Sequence, residues 1–91
     1  MENTAEKTKI ENPTFGQKAV GINFIPSNEN AVDRCKQNYA NIIDGLHEMR
    51  FSTAENVPRI ISGDKARYIA TAITLAEGAQ MAAVKAITWK D

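Results

Sequence analysis

Arg67, Thr71 and Thr74 recur at four- and three-residue steps, so in a helix they share one face. Together they offer a guanidinium and two hydroxyls in a row. Those are the donors that a phosphate or a purine edge requires, and a guanidinium can grip two phosphate oxygens at once. The same face continues through Gly78, Met81, Lys85 and Thr88. A plain solvated face has this composition too, so spacing alone leaves both readings open. Phe24 and Lys36 form a second candidate pair. Phe24 sits on a non-helical segment ahead of a capped helix, and Lys36 lies on that helix's polar flank. An aromatic ring is a stacking platform for any nucleobase, and a nearby ammonium would meet its phosphate. The competing readings are a hydrophobic anchor for Phe24 and a solvated charge for Lys36.

Catalytic chemistry finds little support. His47 is the only histidine, and its neighbours Asp44, Glu48 and Arg50 do not make a metal-ligand cluster. It reads as an exposed polar residue on a helix. Cys35 is the only cysteine, which excludes an intrachain disulfide and a cysteine-based zinc cluster. It falls on an apolar seam, where a buried and unactivated thiol is expected. Gly16 and Gly21 are too widely spaced for a phosphate-binding loop and lack the following Gly-Lys-Ser/Thr. The expectation is a protein that is not an enzyme and has no metal or cofactor.

Charge narrows the partners. Lysine plus arginine number 11, as do aspartate plus glutamate, so the formal net charge is zero. Bulk capture of DNA or RNA through phosphate neutralisation needs a basic excess, and none exists here. A small anion needs only a few local cations and stays open. No apolar run approaches a membrane span, and the N-terminus lacks the apolar core of a signal peptide, so a cytoplasmic location is expected.

The 91 residues make one domain at most. Residues 1–13 hold many charges and almost no large apolar group, which predicts a disordered tail. Residues 14–91 form the foldable part, small enough for a lone core to be marginal. Within it, Val20, Ile22 and Phe24 alternate with small or polar residues, a period of two that predicts an extended arm over 14–27. Ser27, Asn28 and Asn30 are candidate caps for a helix over about 29–50. Its apolar seam is read as Val32, Cys35, Tyr39, Ile42, Leu46 and Met49. Pro58 argues for a loop over 51–61 whose isoleucines pack over the end of the helices. Ser62 is the expected cap of a last helix running to about 88. Two long helices and a short loop predict an all-α antiparallel helical hairpin.

That last helix carries two apolar seams. Ala66, Ile69, Ile73, Ala76, Ala83 and Ile87 make the first, with Gln80 in its one polar slot. Tyr68, Ala72, Leu75, Ala79, Ala82, Ala86 and Trp89 make the second. A small monomer needs one buried stripe per helix. The chain has only one other long helix to offer, so the second seam predicts contact with further copies of the same chain.

Three stretches carry a resemblance. Lys18-Ala-Val-Gly-Ile-Asn-Phe-Ile-Pro-Ser27, Val32-Asp-Arg-Cys-Lys-Gln37 with Ile42-Ile-Asp44, and Gln80-Met-Ala-Ala-Val-Lys-Ala-Ile-Thr-Trp-Lys90 resemble the helical-hairpin domain of phage-encoded cyclic-nucleotide sponges. The resemblance spans about residues 16–91. It implies sequestration, without cleavage, of the messengers of CBASS immunity or, in relatives, of Thoeris immunity. It implies a homohexamer built as a trimer of dimers with two kinds of pocket. In one, Phe24 and Lys36 would hold a cyclic dinucleotide between paired subunits. The better-known branch has a tyrosine in place of Phe24, so its hydroxyl is missing here. The aromatic-to-lysine spacing is also shorter, which leaves Arg34 as the alternative to Lys36. In the other pocket, at a threefold axis, Arg67 would hold a cyclic trinucleotide, with Thr71 and Thr74 facing the same way. The rival expectations are a sponge for a cyclic ADP-ribose messenger and a structural or regulatory helical oligomer that binds a protein partner.

Overall fold

The computed structural model describes residues 9–23, 30–52 and 59–91. The chain is mostly helical, with α1 at Phe15–Ala19, α2 at Asn30–Glu48 and α3 at Asp64–Thr88. Two short strands, β1 at Phe51–Ser52 and β2 at Arg59–Ile60, lie between α2 and α3. They pair antiparallel, with Phe51 opposite Ile60 and Ser52 opposite Arg59. The expected loop over 51–61 therefore contains a small ladder, extended by Ile61 N–H donating to the Arg50 carbonyl at 2.6 Å.

The expected extended arm is corrected more sharply, because its first part is helical. Thr14 is the N-cap of α1, and its hydroxyl accepts from the Gln17 amide at 3.0 Å. The Gln17 side chain returns the favour by accepting from the Thr14 amide at 2.9 Å, which completes a capping box. The helix ends on Gly21, whose φ of 63° lies in the left-handed region. Gly21 N–H donates to the Lys18 carbonyl and Ile22 N–H to the Gln17 carbonyl, the paired bonds of a Schellman turn. The alternation of Val20 and Ile22 thus reflects a helix end. Phe24 and the rest of the arm, with the candidate caps Ser27 and Asn28, lie outside the described residues.

The described chain also starts earlier than the expected tail boundary. Asn23 clamps the main chain of Ile10, accepting from its amide at 2.8 Å and donating to its carbonyl at 3.0 Å. Residues 1–8 lie outside the described residues.

The core sits where the three helices meet. Val20 of the α1 end, Ala40 and Ile43 of α2, and Ile69 and Ile73 of α3 are buried together. Ala19, Ile22, Tyr39, Leu46 and Ala76 pack around them. On α3 the first seam turns inward throughout, from Ala66 to Ile87. On α2 the buried stripe is Val32, Lys36, Ala40 and Ile43, about one residue later than the expected seam. Ile42 is 53% exposed, Met49 is exposed, and Cys35 is only half-buried. Close packing of α1 on α2 explains the offset, since it favours the small Ala40 at the contact.

Gly16 makes that contact possible. A methyl group there would be driven into the Ala40 carbonyl and would stand 2.8 Å from Asp44 Oδ1. Gly16 N–H, an otherwise unpaired amide of the first helical turn, donates to the same Asp44 carboxylate at 2.6 Å. Alanine gains about 1 kcal/mol over glycine in helix propensity, whereas overpacking costs about 1–3 kcal/mol and falls at the upper end here, because the atom in the way is a backbone carbonyl that cannot swing aside. The clash wins. Gly16→Ala is expected to lower the melting temperature by roughly 5–10 °C in a thermal denaturation of this 91-residue chain, and an unchanged value would contradict this packing.

The start of α3 differs from expectation as well. Gly63, not Ser62, occupies the cap position, with φ 79° and ψ −150° and no side-chain cap bond. That backbone conformation is essentially restricted to glycine. Asp64 follows in the first turn, where a negative charge suits the helix dipole.

Candidate functional site

Two recesses gather the residues with binding chemistry. The first, of about 310 Å³, is lined by Arg67, Ala70, Thr71, Thr74 and Leu75 of α3. The helix itself brings Arg67, Thr71 and Thr74 together, as their spacing requires. The Thr71 hydroxyl donates to the Arg67 carbonyl one turn back at 2.9 Å, so its lone pairs face outward as acceptors. The Arg67 guanidinium lies 4.4 Å from the centre of the Tyr68 ring and 3.6 Å from Asp64 Oδ1. Both partners of that ion pair are well exposed, at 61% and 87%, so it holds Arg67 only weakly. An incoming phosphate can displace it.

The second recess, of about 550 Å³, lies between the end of α1, α2 and α3. Its polar lining comes from Lys18, Gly21, Lys36, Glu77 and Gln80, and Met81 adds an apolar wall. Lys36 is not on a polar flank, as the sequence suggested, but 4% exposed. Its Nζ donates to the Gly21 carbonyl at 3.1 Å, a group that the turn after α1 presents to it. The long apolar stem of lysine makes such a position tolerable. Burial strips water from the ammonium and lowers its pKa below the ordinary 10.5, with neighbouring Cys35 acting in the opposite direction.

A lowered folded-state pKa means that the unfolded chain binds the Lys36 proton more tightly. This opposes folding below the shifted value, and the penalty fades as pH rises through that value toward 10.5. Lys36→Met should therefore flatten the dependence of melting temperature on pH in the alkaline range below the ordinary lysine pKa of 10.5. A variant whose profile parallels that of the wild type would contradict the burial of the charge.

Of the remaining candidates, Arg34 is exposed and lines neither recess. Phe24 lies outside the described residues. His47 departs from the expected exposed helix position. It is half-buried and stacks on Phe15 with ring centres 4.1 Å apart, while Phe51 meets it edge-on at 5.4 Å. Arg50 Nη1 is 3.4 Å from His47 Nδ1, and its guanidinium lies 5.4 Å from the Phe15 ring centre. This cluster ties the start of α1 to the end of α2. Among the described residues, no group of three or more His, Cys, Asp or Glu side chains could hold a metal ion. Among them too, no helix is long and apolar enough to cross a membrane.

Sequence reasoning missed Gln80 as a site residue. It is 5% exposed, lines the larger recess, and its side chain has no hydrogen-bond partner among the described residues. Leaving a buried amide unpaired costs about 1–3 kcal/mol. The signal was present in the chain: Gln80 is the one polar residue in an otherwise apolar seam. Comparison with protein-family models, curated proteins and solved structures finds no match to this chain.

Proposed function

We propose that this protein captures cyclic oligonucleotide messengers without cleaving them, as an assembly of several copies of the chain. In this reading α2 and α3 form an antiparallel hairpin, and the second seam of α3 packs against other protomers, up to a hexamer. The observation that carries the proposal is the placement of Arg67 and Thr74 as donors beside Thr71, whose hydroxyl hydrogen is held by the Arg67 carbonyl and which offers a base edge an acceptor. They surround an open recess whose edge, Leu75, belongs to an uncovered apolar face. On that face Tyr68, Leu75 and Trp89 are 62%, 68% and 62% exposed, and Ala79, Ala82 and Ala86 are exposed too. Small residues let helices of different copies approach closely. Where copies meet about a symmetry axis, one arginine from each becomes a ring of positive charge. A compact polyanion suits such a ring although each chain is neutral overall.

The biological setting that fits is antagonism of CBASS-type anti-phage defence in an infected or lysogenic cell. Cyclic trinucleotides would occupy the arginine recess, and cyclic dinucleotides the recess beside Lys36 between paired subunits. Isothermal titration with cyclic di- and trinucleotides tests the ligand class. Heat of binding, with the ligand recovered intact after denaturation, is the expected result. No heat with any cyclic nucleotide, including cyclic ADP-ribose isomers, would contradict it.

The exposed α3 face also fits a second reading, a helical oligomer that binds a protein and no small molecule. A thermal-shift panel separates the two. A ligand at a hundred times its dissociation constant adds about 2.7 kcal/mol of stability, whereas the protein-binding module would show no shift.

A further inference from the structure

The larger recess holds an unused recognition group. Gln80 offers two donors and an acceptor, sits 95% buried by its 5% exposure, and has no partner among the described residues. Interiors pair almost all of their polar groups, so an unpaired buried amide marks a place that something else completes. The recess beside it, about 550 Å³, has the size of a small-molecule site. Val20, Met81 and Val84 supply apolar walls on which a flat ring can lie. Glu77 stands three residues before Gln80 on the same face of α3 and lines the same recess.

We propose that this recess reads the edge of an adenine ring, with Gln80 as the residue that specifies the base. The inference rests on the nucleotide-binding function proposed above. A carboxamide pairs with adenine in two bonds, accepting from the exocyclic amino group and donating to the adjacent ring nitrogen. The second amino hydrogen then meets the Glu77 carboxylate. Guanine in the same pose would turn its O6 acceptor toward that carboxylate and be repelled. Lys18, exposed at the rim, meets the attached phosphate. Lys36 acts as a positioning residue, because its bond to the Gly21 carbonyl fixes the floor of the recess.

The test is isothermal titration of the full chain with cyclic di-AMP and cyclic di-GMP, before and after Gln80→Met, alongside melting of both proteins. Wild type should favour cyclic di-AMP by about 10- to 100-fold, the discrimination that one bidentate pair supplies. Gln80→Met keeps the volume and removes the amide. It should erase that preference while melting at or above the wild-type temperature. Three results would overturn the assignment: equal wild-type affinities, a preference that survives in the variant, or a lower melting temperature, which would show the amide paired within the fold. A recess that holds only water gives the first or the second of these. Cyclic dinucleotides bound without base preference remove this inference and leave sequestration standing. Failure of every cyclic nucleotide to bind removes both.

Discussion

Leu75→Glu should turn the assembly into folded single protomers. Leu75 is 68% exposed on the isolated chain, so glutamate there removes almost nothing from the intrachain core. Glutamate is also a good helix former, and α3 should keep its helicity. In the proposed assembly the same position would lie on the face that other copies cover. Losing a buried leucine costs about 1.5–3 kcal/mol, and a carboxylate left in the contact adds desolvation to that loss. A symmetric contact incurs the change twice. A penalty near 6 kcal/mol weakens association by roughly four decades, which is enough to dissociate the complex at micromolar concentration. Sedimentation velocity with circular dichroism checks both halves of this expectation. A variant of unchanged mass would mean that the Leu75 face lies outside the contact.

Arg67→Ala is the second variant with a large expected effect, and it acts on binding alone. The side chain is 61% exposed, and its weak pairing with Asp64 contributes little to stability, so the fold should persist. A hydrogen bond to a charged group is worth about 1.5–3 kcal/mol, and a threefold site loses three guanidinium groups at once. Cyclic trinucleotide affinity should fall at least 1,000-fold, about 4.5 kcal/mol at 1.4 kcal/mol per decade. Cyclic dinucleotide affinity should be unchanged, because the proposal places that ligand in the recess beside Lys36. Arg67→Lys should fall between the two, since an ammonium keeps the charge but loses the two-pronged grip. Titration calorimetry of the three proteins with both ligands reads the pattern. Equal losses for both ligands would contradict separate sites.

The residues that could be read from the chain share a physical property: their placement is set within one helix. The first α3 seam turns inward at every position, and the second stays exposed except at the half-buried Ala72, because a 25-residue helix repeats its period many times. Arg67, Thr71 and Thr74 meet in one recess for the same reason. The α1 helix is not legible from periodicity, because five residues are too few to show a helical period. Its signals were local instead, in the Thr14-to-Gln17 capping box and in Gly21. The α2 stripe was displaced because large apolar residues outweighed Ala40, whose value lies in letting Gly16 approach. Lys36 could not be placed from α2 alone. Its burial depends on a carbonyl that a different element delivers, and no spacing within a helix encodes that.

The mass of the wild-type chain in solution tests the central claim most directly. Sedimentation equilibrium at micromolar concentration should return a multiple of the 10.0 kDa protomer, with six copies as the proposed end point. A well-folded species of 10.0 kDa under those conditions would contradict the shared binding sites and the capture proposed for them.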